Sequence, residues 1–356
     1  MAQTIDTFIQ LVRLGIGHSA SPIPEDTDWH DIETLATMQG VTAVVLDGVE
    51  RLPESERPPK TVLLKWIGVA LQSYELRFKQ YKQAIAGLAS WYNSHGFRMM
   101  VLKGYACSLN WPIPEHRPCG DIDIWLFGQQ KASDAALTKD LGTKIDNSHH
   151  HHTIFKWMDF DVENHYDFIE VHHHSSGPSL EKILKEKGCD DSYYVELEGE
   201  RVYIPSPDLH ALFLIRHMAE HFVSTDITVR HLLDWAFFVK KYGVKIDWEW
   251  LQKVLNQFGM MPLFNILNAI CIEDLGFGAD IFPQTQFNSS LKERVLNEIV
   301  DSEFKEVEPK GLWARIIFKY KRWKANDWKY KLCYTGSRWS AFWSAMWNHI
   351  LKPSSI

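Results

Sequence analysis

Apolar residues recur at helical spacing from the beginning of the chain, with Ile5, Phe8, Ile9 and Val12 on one stripe. Asp28 or Asp31 is placed to cap a second helix carrying Ile32, Leu35 and Met38. Pro53 to Pro59 reads as a loop, and a long helix is predicted from Thr61 to Ser94, where His95-Gly96 supplies a C-cap. The pattern then changes. Phe97 to Leu102 is a short apolar run bounded by Gly96 and Lys103-Gly104, which predicts a buried strand entering a turn, with a helix from Tyr105 to Trp111 after it. Beyond the loop Pro112 to Pro118, the stretch Gly120-Asp121-Ile122-Asp123-Ile124 alternates with period two. As a strand it puts Asp121 and Asp123 on one face, and Ile122, Ile124 and Leu126 on the other.

A helix is predicted over Gln130 to Leu141 and a strand over Thr153 to Asp161. Tyr166 to His174 reads as a further strand, with Phe168, Glu170, His172 and His174 on one face. Between the helix and these strands, His149 to His152 is expected to be a solvated polar turn, because four adjacent residues do not all converge on one ion. Ser206-Pro207-Asp208 starts a helix that runs to about Phe222, and Val229 to Tyr242, Trp248 to Phe258 and Pro262 to Leu275 read as helices too.

Composition narrows the function classes. The 356 residues carry a formal net charge of −7, which argues against a whole-protein electrostatic grip on nucleic acid. The charge is uneven: residues 305–356 hold eleven Lys or Arg against three acidic residues, and six of the fifteen tryptophans. A basic, Trp-rich segment suits an acidic partner or a membrane surface, although packing on the acidic body is the simpler expectation. Five scattered cysteines form no Cys-x-x-Cys pair, so a reducing cytoplasm is expected rather than a disulfide framework. The first residues lack the pattern of a signal peptide, and no apolar stretch reaches 18 residues, so no integral membrane segment is expected.

The candidate chemistry centres on the aspartates. Two carboxylates on one face of a strand repel unless a cation lies between them, and hard divalent ions such as Mg²⁺ are bound by one or two carboxylates together with substrate phosphates. Lys103-Gly104, one strand earlier, offers a positive charge and exposed backbone N–H groups at the start of a helix, a combination suited to phosphate. Arg117 stands just ahead of the aspartate strand. Glu170, if its strand neighbours the aspartate strand, would complete a three-carboxylate set of the kind that holds two metals.

Leu102-Lys103-Gly104 followed by Arg117-Pro118-Cys119-Gly120-Asp121-Ile122-Asp123, with Glu170 later, resembles the nucleotidyltransferase superfamily related to DNA polymerase beta. Within it, the match is to the uncharacterised bacterial group labelled nucleotidyltransferase family 5, over about residues 30 to 240. The resemblance implies an α+β fold: a small mixed-sheet nucleotidyltransferase core at residues 96–204, flanked by helical regions at 1–95 and 205–304, with the basic tail at 305–356. It implies transfer of an NMP from a nucleoside triphosphate such as ATP to a hydroxyl acceptor (a small molecule, a lipid-linked sugar, a protein or RNA), with Mg²⁺ or Mn²⁺ as cofactor. Asp121, Asp123 and Glu170 would be the catalytic and metal-binding residues. Lys103, Gly104, Arg117 and Gly120 would bind nucleotide, and His172, His217, His221, Arg230 and Asp234 would contact nucleotide or acceptor. One departure is that Gly104 is followed by Tyr105, where the wider superfamily has serine, so that Lys103 would substitute for the serine contact.

Two alternatives come from other classes. His217-Met218-Ala219-Glu220-His221 matches a His-x-x-Glu-His zinc metallopeptidase pattern, which leaves Gly120 to Asp123 unexplained. The other is a non-catalytic nucleotide-binding protein of the same fold.

Overall fold

The computed structural model describes residues 2–335 apart from 172, 173, 175 and 306–308. The chain divides into two compact units, one made of Met1–Leu71 with Ile215–Thr335 and the other containing Gln72–Leu214. The four continuous segments read from the sequence cut the chain differently, since one unit draws on both ends of the described chain.

The unit that begins at Gln72 holds a sheet of six strands among the described residues: β1 (Met100–Val101), β2 (Ile122–Trp125), β3 (His152–Trp157), β4 (Phe160–His165), β5 (Tyr194–Leu197) and β6 (Glu200–Tyr203). Their spatial order is β3-β4-β2-β1-β6-β5. The sheet is mixed. β2 runs parallel to β4, and β1 parallel to β6, while β1–β2, β3–β4 and β5–β6 are antiparallel. With many helices around it, this is the α+β class expected from the sequence.

Alternation sorts the sheet into an apolar and a polar face. Ile122, Ile124, Val162 and Phe155 are buried in a core shared with Tyr81, Ile85, Leu88 and Tyr92 of the helix Arg77–Ser94. Burial of such side chains contributes about 1.5–3 kcal/mol each relative to exposure. The helix Gln130–Leu141, bounded as expected, joins this side of the sheet through Asp134, whose carboxylate accepts from Asn164 Nδ2 at 2.8 Å and Thr153 Oγ1 at 2.9 Å.

Two strand assignments need correction. The run Thr153 to Asp161 is not one strand: β3 ends at Trp157 and the chain turns back through Met158-Asp159, so that Trp157 faces Phe160. Met158 takes the turn at φ +52°, a conformation usually marked by Gly or Asn, and no such residue signals it. Consequently the strand after the turn is Phe160–His165, and the described residues between Tyr166 and His174 form no strand. Likewise, the helix expected from Thr61 to Ser94 comprises Lys60–Val69 and Arg77–Ser94, with a π-helical stretch Ala70–Leu76 between them.

The other unit is helical. Asp28 caps Trp29–Met38 by accepting from the backbone N–H groups of His30 and Asp31. Val229–Tyr242 and Trp248–Phe258 have the expected bounds, and Met261–Glu273 lies close to them. Of the basic segment, Leu312–Ala325 and Asp327–Cys333 are helices, and Lys329 is buried with its amine 2.6 Å from Glu298 and 2.7 Å from Asp226. At least this part of the segment packs on acidic neighbours. Residues 336–356, with Trp339, Trp343 and Trp347, lie outside the described residues. No helix among the described residues is long and apolar enough to cross a membrane.

Candidate active site

The polar face of the sheet gathers the charged residues through strand register. β2 and β4 are parallel with Asp123 opposite Glu163 and Trp125 opposite His165, and β3 sets His152 opposite His165. In-register neighbours share a face, so Asp123, Glu163, His165 and His152 project to one side. Asp121, just ahead of β2, reaches solvent at the open end.

Asp123 is the electrostatic centre. Its Oδ1 lies 2.8 Å from Lys103 Nζ and 3.0 Å from His165 Nε2, and only 4% of its side chain is exposed. Burial works against ionisation here, but Lys103 and His165 outweigh it and hold the Asp123 carboxyl well below its ordinary range. His165 Nε2 is also 3.4 Å from Glu163 Oε2. Burial works to lower the pKa of His165 and its bonds to the two carboxylates raise it, with a net rise. Asp121 behaves oppositely to Asp123. Burial first, and then the charges of Asp123 and Glu163, push it up to about 6.

Lys103 reaches Asp123 because of the turn behind it. The residue has φ +30°, a strained conformation for a side chain other than Gly, and opens the helix Lys103–Ser108. Gly104 follows where a side chain would be crowded: a Cβ there would lie 2.5 Å from Tyr81 Oη, whose hydroxyl donates to the Asp121 carbonyl at 2.8 Å. Tyr81 thus ties the turn to the strand that carries the aspartates. Leu102 N also donates to Asp123 O at 2.9 Å, which extends the β1–β2 pairing to the start of the turn.

The remaining sequence candidates are placed as follows. Arg117 is buried, with Nη1 donating to Pro118 O at 3.0 Å. Gly120 is exposed, and a Cβ there would meet nothing within 4 Å. Glu170 is buried after β4, not on a strand, and its Oε2 lies 3.5 Å from His151 Nδ1. The carboxylate facing Asp123 across the strands is Glu163, because the unmarked turn at Met158 moves the strand earlier than expected. Sequence reasoning missed Glu163 and His165, although Phe160-Asp161-Val162-Glu163 carries the inward-outward alternation that would have found them. His172 lies outside the described residues.

His217, His221, Arg230 and Asp234 belong to the helical unit. His217 and His221 stack edge to face with centroids 4.2 Å apart, and His231, absent from the sequence reading, is 6.0 Å from His217. Arg230 Nη2 is 3.3 Å from His231 Nε2, and Asp234 is buried.

Among the described residues two groups gather metal-ligating atoms within 4.8 Å of one another: Asp123, Glu163 and His165, and His151, His152 and His165. Neither includes the His217-x-x-Glu220-His221 pattern. The first group, with Asp121 beside it, is a fit donor set for a divalent cation, since it gathers carboxylate oxygens of the kind hard cations take.

Carboxylates on neighbouring strands of a mixed sheet, beside a Lys-Gly turn, are the layout of a nucleotidyltransferase. Residues 25–271 match a family model described as uncharacterised nucleotidyltransferase, and the chain belongs to that family. Two solved structures are similar over part of the chain. One is the antibiotic-resistance factor ANT(2'')-Ia, at 12% identity over 50% of this chain and 92% of that one, with a TM-score of 0.37. The other is an antigenic nucleotidyltransferase-like protein from Paracoccidioides brasiliensis, at 14% identity over 49% of this chain and 85% of that one, with a TM-score of 0.35. No curated protein matches.

Proposed function

We propose that the protein is a metal-dependent nucleotidyltransferase that moves an NMP from a nucleoside triphosphate to a hydroxyl acceptor and releases pyrophosphate. The observation that carries this reading is the placement of Asp121, Asp123 and Glu163 about one edge of a sheet face, with Lys103 at the head of a Gly turn. Asp121, Asp123 and Glu163 would hold the cation, so Glu163 takes the third-carboxylate role first assigned to Glu170. Mg²⁺ or Mn²⁺ bound there supplies charge neutralisation of the triphosphate and a more acidic acceptor hydroxyl.

The chain's own groups do the positioning. The turn at Lys103-Gly104 presents backbone N–H groups at a helix start, and Tyr81 fixes that turn relative to Asp121. The Lys103 amine, 2.8 Å from Asp123 Oδ1, would be placed to neutralise phosphate oxygens of a nucleotide held at the carboxylates. His165, with Nδ1 3.2 Å from Asp167 O and Nε2 on Asp123, keeps the Asp123 carboxylate oriented. Five cysteines without a disulfide support a reducing compartment, the cytoplasm in our reading.

The test is Mg²⁺-dependent transfer of label from an α-labelled triphosphate to components of a cell extract. Asp121→Asn and Glu163→Gln should each lower it by at least about a hundredfold, on the scale of removing a preorganised charge-stabilising group; full activity in either variant counts against the assignment. A second reading, nucleotide binding without turnover, draws on the Lys103 amine and the His165 ring already on Asp123 Oδ1. Calorimetry showing binding with no Mg²⁺-dependent release of pyrophosphate would favour it.

A further inference from the structure

The histidine run presents something that adjacency in sequence argues against. His151 ends the bend before β3 and His152 begins the strand, so the two rings are not forced to opposite faces. The His151 carbonyl accepts from the backbone N–H groups of Tyr166 and Asp167, at 3.1 and 3.2 Å, which pins this bend to the segment leaving β4. His165, the last residue of β4, is the cross-strand partner of His152. Three imidazoles therefore meet at one corner of the sheet, with ring centroids 4.3 Å (151–152), 5.2 Å (152–165) and 5.5 Å (151–165) apart.

The nitrogens are arranged in two shells. His151 Nε2 and His152 Nδ1 face each other at 3.0 Å. Two neutral imidazoles satisfy such a contact only with a proton on one of them, whereas a cation takes both lone pairs. Zinc–nitrogen bonds of 2.0–2.1 Å in a tetrahedron set ligand nitrogens roughly 3.3 Å apart, close to this spacing. The outward nitrogens face acceptors: His151 Nδ1 is 3.5 Å from Glu170 Oε2, His152 Nε2 is 3.9 Å from Glu163 Oε1, and His165 Nδ1 is 3.2 Å from Asp167 O. Carboxylate or carbonyl behind each ring is the support that metal-ligating histidines commonly have. His151 Nδ1 and His152 Nε2 are buried and make no hydrogen bond, and His152 as a whole is only 6% exposed. Burying such nitrogens unbonded is unfavourable, and tightening onto Glu170 and Glu163 would remove that cost.

We infer that His151, His152 and His165 form a transition-metal site of the Zn²⁺ class that adjoins the carboxylate set proposed to hold Mg²⁺ and shares His165 with it. Three imidazoles favour zinc and its neighbours in the first transition row, whereas Mg²⁺ prefers oxygen, so the two sites sort ions by ligand type. Glu170 stands behind His151, with its Oε2 3.5 Å from the outward ring nitrogen. The sites are coupled through one ring, because the nitrogen His165 would give to the ion is the one bonded to Asp123.

The test reads binding and does not depend on nucleotidyl transfer. Untagged full-length protein is titrated with Zn²⁺ in millimolar Mg²⁺ by competition against a chromogenic chelator. One equivalent should bind, with affinity lowered at least about tenfold by His151→Ala and by His152→Ala. His95→Ala, a histidine of the same unit that pairs with Asp140 instead, should leave the affinity unchanged. As buried His152 also packs the strand, Co²⁺ bound to the unaltered protein gives an independent readout: intense visible bands of a tetrahedral, nitrogen-rich site support the inference, and only weak octahedral bands overturn it. Absence of Zn²⁺ binding, or binding unmoved by His151→Ala, also overturns it.

Discussion

Asp123 and Glu163 stand at facing positions of two parallel strands, and a single nitrogen, His165 Nε2, lies 3.0 Å from one carboxylate and 3.4 Å from the other. In the proposed function that relationship makes Glu163, rather than Glu170, the third carboxylate beside the aspartates. Mn²⁺ titration followed by electron paramagnetic resonance checks this without knowledge of the acceptor. Glu163→Gln should weaken Mn²⁺ binding at least about tenfold, and Glu170→Gln should change it less than about threefold; the reverse order would return the third position to Glu170.

Lys103 and Asp123 form a largely buried pair, and removing one partner of such a pair costs about 3–5 kcal/mol because the other charge is left behind. Lys103 keeps some solvent access, so Lys103→Met should destabilise the protein by about 3 kcal/mol in urea unfolding. Adding Asp123→Asn to that variant should restore much of the loss. Additive losses in the double variant would show that the two charges do not stabilise each other.

Gly104 is required by Tyr81. Gly104→Ala should push the Tyr81 hydroxyl off the Asp121 carbonyl, at about 1–3 kcal/mol of overpacking and with weaker triphosphate binding. Tyr81→Phe removes the atom that the new methyl would strike, so the pair Gly104→Ala with Tyr81→Phe should be more stable than Gly104→Ala alone, as thermal melting would show.

Glu181 supplies a pH dependence outside the carboxylate set. Burial pushes its carboxyl up to about 7, against the N–H groups of Phe168 and Ile169 that it accepts from at 3.0 and 3.1 Å. The folded state therefore holds a proton that the unfolded chain releases near 4.5. This contribution is full below pH 4.5 and is lost as pH rises to about 7, at about 1.4 kcal/mol for each unit of the window. Thermal midpoints at pH 5 and pH 8 should differ less in Glu181→Gln than in the unaltered protein. An equal difference in both would remove Glu181 as the cause.

Much of this arrangement was legible in the sequence, and the misplaced strand and carboxylate share one origin. The helices Gln130–Leu141, Val229–Tyr242 and Trp248–Phe258 follow from periodicity and end signals, and β2 follows from strict alternation at Asp121 to Ile124. The hairpin between β3 and β4 was lost because Met158 adopts a left-handed conformation without a residue type that advertises it. That single unmarked turn displaced the next strand, so Glu163 and His165 were passed over and Glu170 was chosen. Nor could alternation reveal the meeting of His151 and His152, because it depends on a strand beginning between them. The division of the chain into units was hidden for another reason: contacts between distant segments leave no local pattern.

Nucleotidyl transfer is tested most directly by supplying ATP labelled at either the α- or the γ-phosphate, with Mg²⁺ and an extract containing acceptors. The α label should move to an acceptor while the γ label appears only in pyrophosphate, and both changes should fail in Asp123→Asn. Transfer of the γ label to the acceptor, or release of inorganic phosphate in place of pyrophosphate, would contradict the assignment.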